Sequence, residues 1–252
     1  MRASRDSRRS RLAIEGSDSI LLHIEDFIHE FLHEDLLSRT NVETVILCGS
    51  YATGKATMLS DIDLCYIGSF ASFQRESIAY QGREFQLMLA PWSWYEHVVN
   101  EYERKGNLAT ITVMLATGTC LIGDSDQWRG LKQLADQLYY EGPQPPSTEE
   151  LRKIRVQLTD IWEDYCDKID TQERLWLSIA ILQNCMEAIF RIRGWWSVKP
   201  KYQLEEIYAR DSRMAELLEQ CLSSIGTQNE LETICRYVLE PIGGWMKESW
   251  KA

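Results

Sequence analysis

The stretch that decides the fold is Cys48-Gly49-Ser50-Tyr51-Ala52-Thr53-Gly54-Lys55-Ala56-Thr57-Met58-Leu59-Ser60-Asp61-Ile62-Asp63-Leu64. The β-branched, apolar run from Thr44 to Cys48 that precedes it reads as a buried strand that stops at Gly49-Ser50. Ten residues later a second apolar strand, Asp61 to Ile67, begins. A strand that turns at Gly-Ser exposes backbone N–H groups. The missing Cβ of Gly49 lets a phosphate come close, and the Ser50 hydroxyl adds a donor. Asp61 and Asp63 stand at i and i+2 of a strand, so both carboxylates project from one face. Paired carboxylates repel each other unless a cation lies between them. Mg²⁺ suits a site with few protein oxygens that phosphates and water complete. A phosphate cradle beside metal-binding carboxylates is the chemistry of phosphoryl or nucleotidyl transfer.

Around this stretch the pattern is mixed. Residues 17–38 read as an amphipathic helix, with Leu21, Ile24, Phe27, Ile28, Phe31 and Leu32 near one face. A third strand is expected over Glu84 to Leu89, where Phe85, Leu87 and Leu89 alternate with Glu84, Gln86 and Met88. Helices are expected at about 93–105 and 107–117, then a short strand, Thr119 to Ile122, and a helix from Asp126. Gly142-Pro143-Gln144-Pro145-Pro146 breaks the chain, and Ser147 with Glu150 starts a helix as a capping box. Helical periodicity then runs over roughly 148–168, 172–193, 201–224 and 227–250. The expected fold class is α+β, a small mixed β-sheet flanked by helices and followed by an all-α bundle. The expected division is a basic, disordered tail over 1–16, a catalytic domain over 17–142 and a helical bundle over 147–252.

The bulk numbers exclude several classes. With 44% apolar and 26% charged residues, the composition is that of a folded globular chain. A net charge of −11 argues against a general nucleic-acid binder, which needs basic surface to displace counterions. It would favour a cationic acceptor. No eighteen-residue apolar run and no signal-like segment is present, so a cytoplasmic location is expected. Seven cysteines without a Cys-x-x-Cys make neither a disulfide framework nor a zinc site. Cys48, Cys65, Cys185 and Cys235 read as buried thiols in a reducing compartment.

The decisive stretch resembles the signature of the DNA polymerase β-like nucleotidyltransferase superfamily: an apolar residue, Gly-Ser, about ten residues, then Asp-x-Asp. Gly54 and Ser60 extend the match. The resemblance implies that Asp61 and Asp63 bind two Mg²⁺ ions. It also implies that Gly49, Ser50, Gly54 and Ser60 lie on the nucleotide, and that an acceptor hydroxyl attacks the α-phosphate of ATP or another NTP. The family's third carboxylate, which serves the attacking hydroxyl, falls at Gln86 in this sequence. An amide neither accepts a proton nor offers an anionic ligand. Glu84, two residues earlier on the same strand face, is the candidate to replace it as the third catalytic carboxylate.

The Gly194-Trp195-Trp196-Ser197-Val198-Lys199-Pro200-Lys201 segment is similar to one found in aminoglycoside adenylyltransferases, which implies that Lys199 or Lys201 reaches the triphosphate. The expected reaction is transfer of AMP to a hydroxyl of a small polar acceptor, such as an aminoglycoside-like antibiotic. Gln86 keeps open a nucleotide-binding or regulatory protein of the same fold, and an acceptor that is a protein or tRNA is a further alternative. The His29-Glu30-Phe31-Leu32-His33 run fits a zinc-protease pattern, but both imidazoles point away from the apolar stripe and read as solvated. Trp162 and Trp176 lie at apolar helical positions and are expected in a core, whereas Trp92 and Trp94 fit either a core or a lid.

Overall fold

The computed structural model describes residues 24–223 and 227–249. The proposed tail over 1–16 and the first turns of the helix expected from residue 17 lie outside the described residues. The described residues form two compact units. One runs up to Tyr95 and includes Thr117–Gly130; the other comprises Glu96–Ala116 and the residues from Leu131 on. Three helices, Trp92–His97, Thr110–Thr117 and Asp126–Glu141, contribute to both units, and Glu96–Ala116 groups with the helical unit although the sheet's last strand follows it.

In the first unit, helix α1 (24–36) leads into β1 (Val42–Cys48), the short helix α2 (Gly49–Ala52) and β2 (Ile62–Gly68). Then come β3 (Gln74–Tyr80), β4 (Arg83–Ala90), α3 (Trp92–His97) and, after a helical excursion, β5 (Thr119–Ile122). The sheet order is β3-β4-β2-β1-β5, with β2 and β4 parallel and the other neighbours antiparallel. β3 is a strand that the sequence pattern does not announce. It is polar at Gln74, Arg75, Glu76 and Ser77, as an edge strand with one solvated face can be. Its one local signal is Gln81-Gly82, which joins it to β4. Both residues have positive φ, 45° and 81°, as the favoured two-residue hairpin turn requires.

One sheet face carries Val45, Ile62, Leu64, Tyr66, Phe85, Leu87 and Leu89, all buried against Ile28, Phe31 and Leu32 of α1. Phe31 stacks on Phe85 with ring centroids 3.7 Å apart. Arg39, just past α1, bonds Asp35 at 2.8 Å and Glu76 of β3 at 2.5 Å, so the edge strand is tied to the helix. The Tyr66 hydroxyl donates to Asp35 at 2.9 Å. His29 and His33 face solvent on the other side of α1.

The second unit contains a π-helical turn (Val98–Tyr102), α4 (Glu103–Gly106), α5 (Thr110–Thr117), most of α6 (Asp126–Glu141), α7 (Thr148–Asp167) and α8 (Thr171–Ile192). α9 (Pro200–Arg210), α10 (Ser212–Ser223), α11 (Gln228–Leu239) and a 3₁₀ turn (Glu240–Ile242) complete it. The helix expected over 201–224 is interrupted at Asp211, whose carboxylate accepts the Met214 N–H at 2.9 Å as a cap. The last helix ends at Leu239 and not near 250. Its core joins Leu158 of α7, Ile181, Cys185 and Ile189 of α8, Leu218 of α10, and Ile234 and Val238 of α11.

By length and composition α8 alone among the described helices is apolar enough to cross a membrane. Its stripe of Ile181, Cys185 and Ile189 is instead fully buried in this bundle. Trp162 packs against the same core, stacked on Tyr165 and Trp245. Trp176 does not: it is 72% exposed. Five residues before Ile181, at 100° per residue, it falls well outside that stripe, which corrects the core placement expected for it.

Candidate functional site

The site is built at the end of the sheet where β1 stops and β2 starts. Strand pairing sets Cys48 beside Asp63, and Asp63 beside Gln86 of β4. Gln86 in turn pairs with Ser77 of β3. Asp61 directly precedes β2 and is exposed, while Asp63 is half-buried inside it. Beneath them, on the same face, Cys48 and Cys65 bring their sulfurs to 3.5 Å, and burial pushes the Cys48 thiol well above its ordinary pKa. That floor is fully buried.

Gly49 explains why the turn needs glycine. Its φ is +67°, and a Cβ there would lie 2.1 Å from Asp63 Oδ2. The Asp63 carboxylate therefore sits in the space that a side chain would fill, against the backbone of the Gly-Ser turn. From there the chain makes one turn of helix, with Thr53 N–H donating to Gly49 O at 3.2 Å and Lys55 N–H to Ser50 O at 2.9 Å. Gly54, at φ +69°, reverses it with open space around.

The loop that returns to Asp61 is held by its own side chains. Thr57 N–H donates to Ser60 Oγ at 2.9 Å and Ser60 N–H to Thr57 O at 3.0 Å. Arg83, at the start of β4, donates to the Tyr51 hydroxyl at 3.0 Å and to Met58 O at 3.1 Å, lashing α2 and the loop to the sheet. In this arrangement the Ser60 hydroxyl shapes the turn that delivers Asp61.

The position opposite Asp63 on β4 is organised in a way that sequence reading missed. Arg75 of β3 donates twice to Gln86 Oε1, from Nε at 3.2 Å and from Nη2 at 3.0 Å. The Gln86 amide donates to Glu84 Oε1 at 2.5 Å, and the Ser77 hydroxyl donates to the same oxygen at 2.6 Å. Glu84 and Gln86 thus share a face, as strand alternation requires. The pattern gave no sign of Arg75, because it lies on the unannounced strand.

Among the described residues no group of three or more His, Cys, Asp or Glu side chains gathers to hold a metal. The carboxylates that suit a cation are Asp61 and Asp63, a pair that needs phosphate oxygens and water to complete its shell, as Mg²⁺ accepts. The space kept at Gly49 leaves the Asp63 carboxylate directly against the Gly49-Ser50 turn, and Asp61 and Asp63 fit such an ion by the chemistry of their oxygens.

The tryptophans after β4 are packing residues. Trp92 Nε1 donates to Glu43 at 2.9 Å, Trp94 stacks on Phe73 at 4.4 Å, and buried Tyr95 donates to Met88 O at 2.6 Å. In the helical unit Lys199 is the N-cap of α9 and Lys201 lies in its first turn, with its ammonium 4.8 Å from the Tyr202 ring centre. Trp195 packs edge-on to Phe190, and Trp196 donates to Tyr139 O at 2.9 Å.

No curated protein matches this chain. A solved structure, of a nucleotidyltransferase-like protein from Exiguobacterium sibiricum 255-15, is 13% identical. The likeness covers 87% of this chain and 74% of that one, with a TM-score of 0.48. Residues 29–106 match the family model of the nucleotidyltransferase domain, a stretch that includes Gly49, Ser50, Asp61, Asp63, Glu84 and Gln86 but neither Lys199 nor Lys201.

Proposed function

We propose that the protein is a metal-dependent nucleotidyltransferase that moves a nucleoside monophosphate, AMP from ATP, to a hydroxyl of a small polar acceptor. The observation that carries this reading is the seating of Asp63 in the Cβ space of Gly49, which joins phosphate cradle and metal carboxylate in one structure. Gly49, Ser50 and Gly54 would receive the phosphates, and Ser60 would hold the loop that presents Asp61. Asp61 and Asp63 would hold a divalent cation, which when bound neutralises phosphate charge. Lys199 and Lys201 enter as triphosphate ligands on the resemblance alone.

Glu84 would take the proton of the acceptor hydroxyl. Two donors fix its Oε1, which orients the carboxylate. The acidic chain, with a net charge of −11, favours a cationic acceptor such as an aminoglycoside-like compound over RNA. Seven free thiols support a reducing, cytoplasmic setting.

A second reading rests on Gln86: a protein that binds nucleotide without turnover. Pyrophosphate release, measured with ATP and Mg²⁺ against a panel of aminoglycosides and other polyols, separates the two. Acceptor-dependent release is expected, with Glu84→Gln lowering it about 10²–10⁴-fold while nucleotide binding survives. Nucleotide binding with no release for any acceptor would favour the second reading.

A further inference from the structure

We infer that the site holds one divalent cation, not two, and that the Arg75 guanidinium takes the electrostatic place of the second. The inference rests on the metal-dependent reading above and concerns the same site. A second dication beside the first calls for a further anionic oxygen close to Asp63, and the neighbouring position on β4 is Gln86. An amide oxygen is a neutral and weaker ligand.

Here that oxygen is also already engaged, accepting both Nε–H and Nη2–H of Arg75 at 3.2 and 3.0 Å. A dication approaching Gln86 Oε1 would have to displace a fixed positive charge or sit beside it. The other end of the amide is committed as well, because its N–H group donates to Glu84. This fixes which way the amide faces: its oxygen points to the arginine and its nitrogen to the glutamate. Glu84 is turned towards donors of its own strand pair, Ser77 and Gln86, and does not gather with Asp61 and Asp63.

The charge balance agrees. Replacing a carboxylate by an amide removes one negative charge, and Arg75 adds one positive charge. The two changes together supply what a second dication would supply to the same residues. Arg75 is a planar, permanently charged donor that suits a fixed place of this kind. In this account it is a positioning residue: it holds Gln86, and through Gln86 it holds Glu84.

The test is Mn²⁺ binding to the full chain in the presence of an α,β-methylene ATP analogue, read by equilibrium dialysis and by electron paramagnetic resonance. Two ions about 3.5–4 Å apart give a coupled spectrum, whereas one gives an isolated six-line signal. The wild-type protein is expected to bind one Mn²⁺ per nucleotide with the isolated signal. The Arg75→Ala/Gln86→Glu double variant is expected to bind two with a coupled signal. Two coupled ions in the wild type would overturn the inference and leave the metal-dependent reading intact. No bound Mn²⁺ in the wild type would overturn that reading and this inference with it. One ion in both proteins, with the double variant folded by circular dichroism, would overturn the role given to Arg75. The wild-type count decides the number of ions even if the variant does not fold.

Discussion

Gly49 is the residue on which the site's geometry turns. Its positive φ alone makes any other L-residue costly, by about 1–2 kcal/mol. The 2.1 Å approach of its Cβ position to Asp63 Oδ2 adds a displacement of the carboxylate itself. Gly49→Ala should therefore lower stability in urea by about that amount and also weaken metal-dependent nucleotide binding. A variant that loses stability but binds nucleotide as tightly as the wild type would show that Asp63 is not held where it acts. At this scale the sequence was legible where chemistry is local. Gly49 and Asp63 lie within fifteen residues, and a turn between two paired strands is enough to bring them into contact. Arg75 was not legible, because its partnership with Gln86 depends on a strand pairing that spacing cannot reveal.

The elements differ in how plainly they are written. β1, β2 and β4 are apolar runs buried on both faces over much of their length, and periodicity finds them. β3 carries large apolar side chains only at Ile78 and Tyr80, and its first four residues are polar, so pairing with β4 and the Arg39–Glu76 tie make it a strand. The start of α7 was written in full. Ser147 Oγ accepts the Glu150 N–H at 3.2 Å and the Ser147 N–H donates to Glu150 Oε2 at 2.8 Å, closing the expected capping box. What the sequence did not show is that Arg191 of α8 also bonds Glu150, at 2.7 Å. The Ser147 backbone N–H, and after it Arg191, hold the Glu150 carboxyl down at about 2. A depressed carboxyl stabilises the fold above its unfolded value of 4.5, and that contribution fades as pH falls from there towards about 2. Glu150→Gln should thus destabilise the protein to urea at pH 6, and the gap to wild type should narrow at pH 3. A gap that is unchanged between the two pH values would remove the ionised carboxylate from the account.

At the scale of the whole molecule, the described residues include one apolar core under α1 and another within the helical bundle. Their existence was legible, but the grouping of Glu96–Ala116 with the helical unit was not, since it interrupts the sheet's chain order. Two close thiol pairs are not bonded: Cys48 with Cys65 at 3.5 Å, on the sheet face away from α1, and Cys185 with Cys235 at 3.8 Å, in the helical core. Thiol titration of protein prepared from a reducing host and denatured without reductant should recover nearly all seven cysteines. Recovery of three or fewer would point to disulfides and overturn the reducing compartment.

The central claim is that Asp63 and the Gly49-Ser50 turn form one metal-dependent nucleotide site. Calorimetric titration of an α,β-methylene ATP analogue, with and without Mg²⁺, tests it most directly when wild type and Asp63→Asn are compared. Binding to the wild type that requires Mg²⁺ is expected, with loss of that Mg²⁺-dependent binding in a folded Asp63→Asn variant. Equal affinity of the two proteins for the analogue in Mg²⁺ would contradict it.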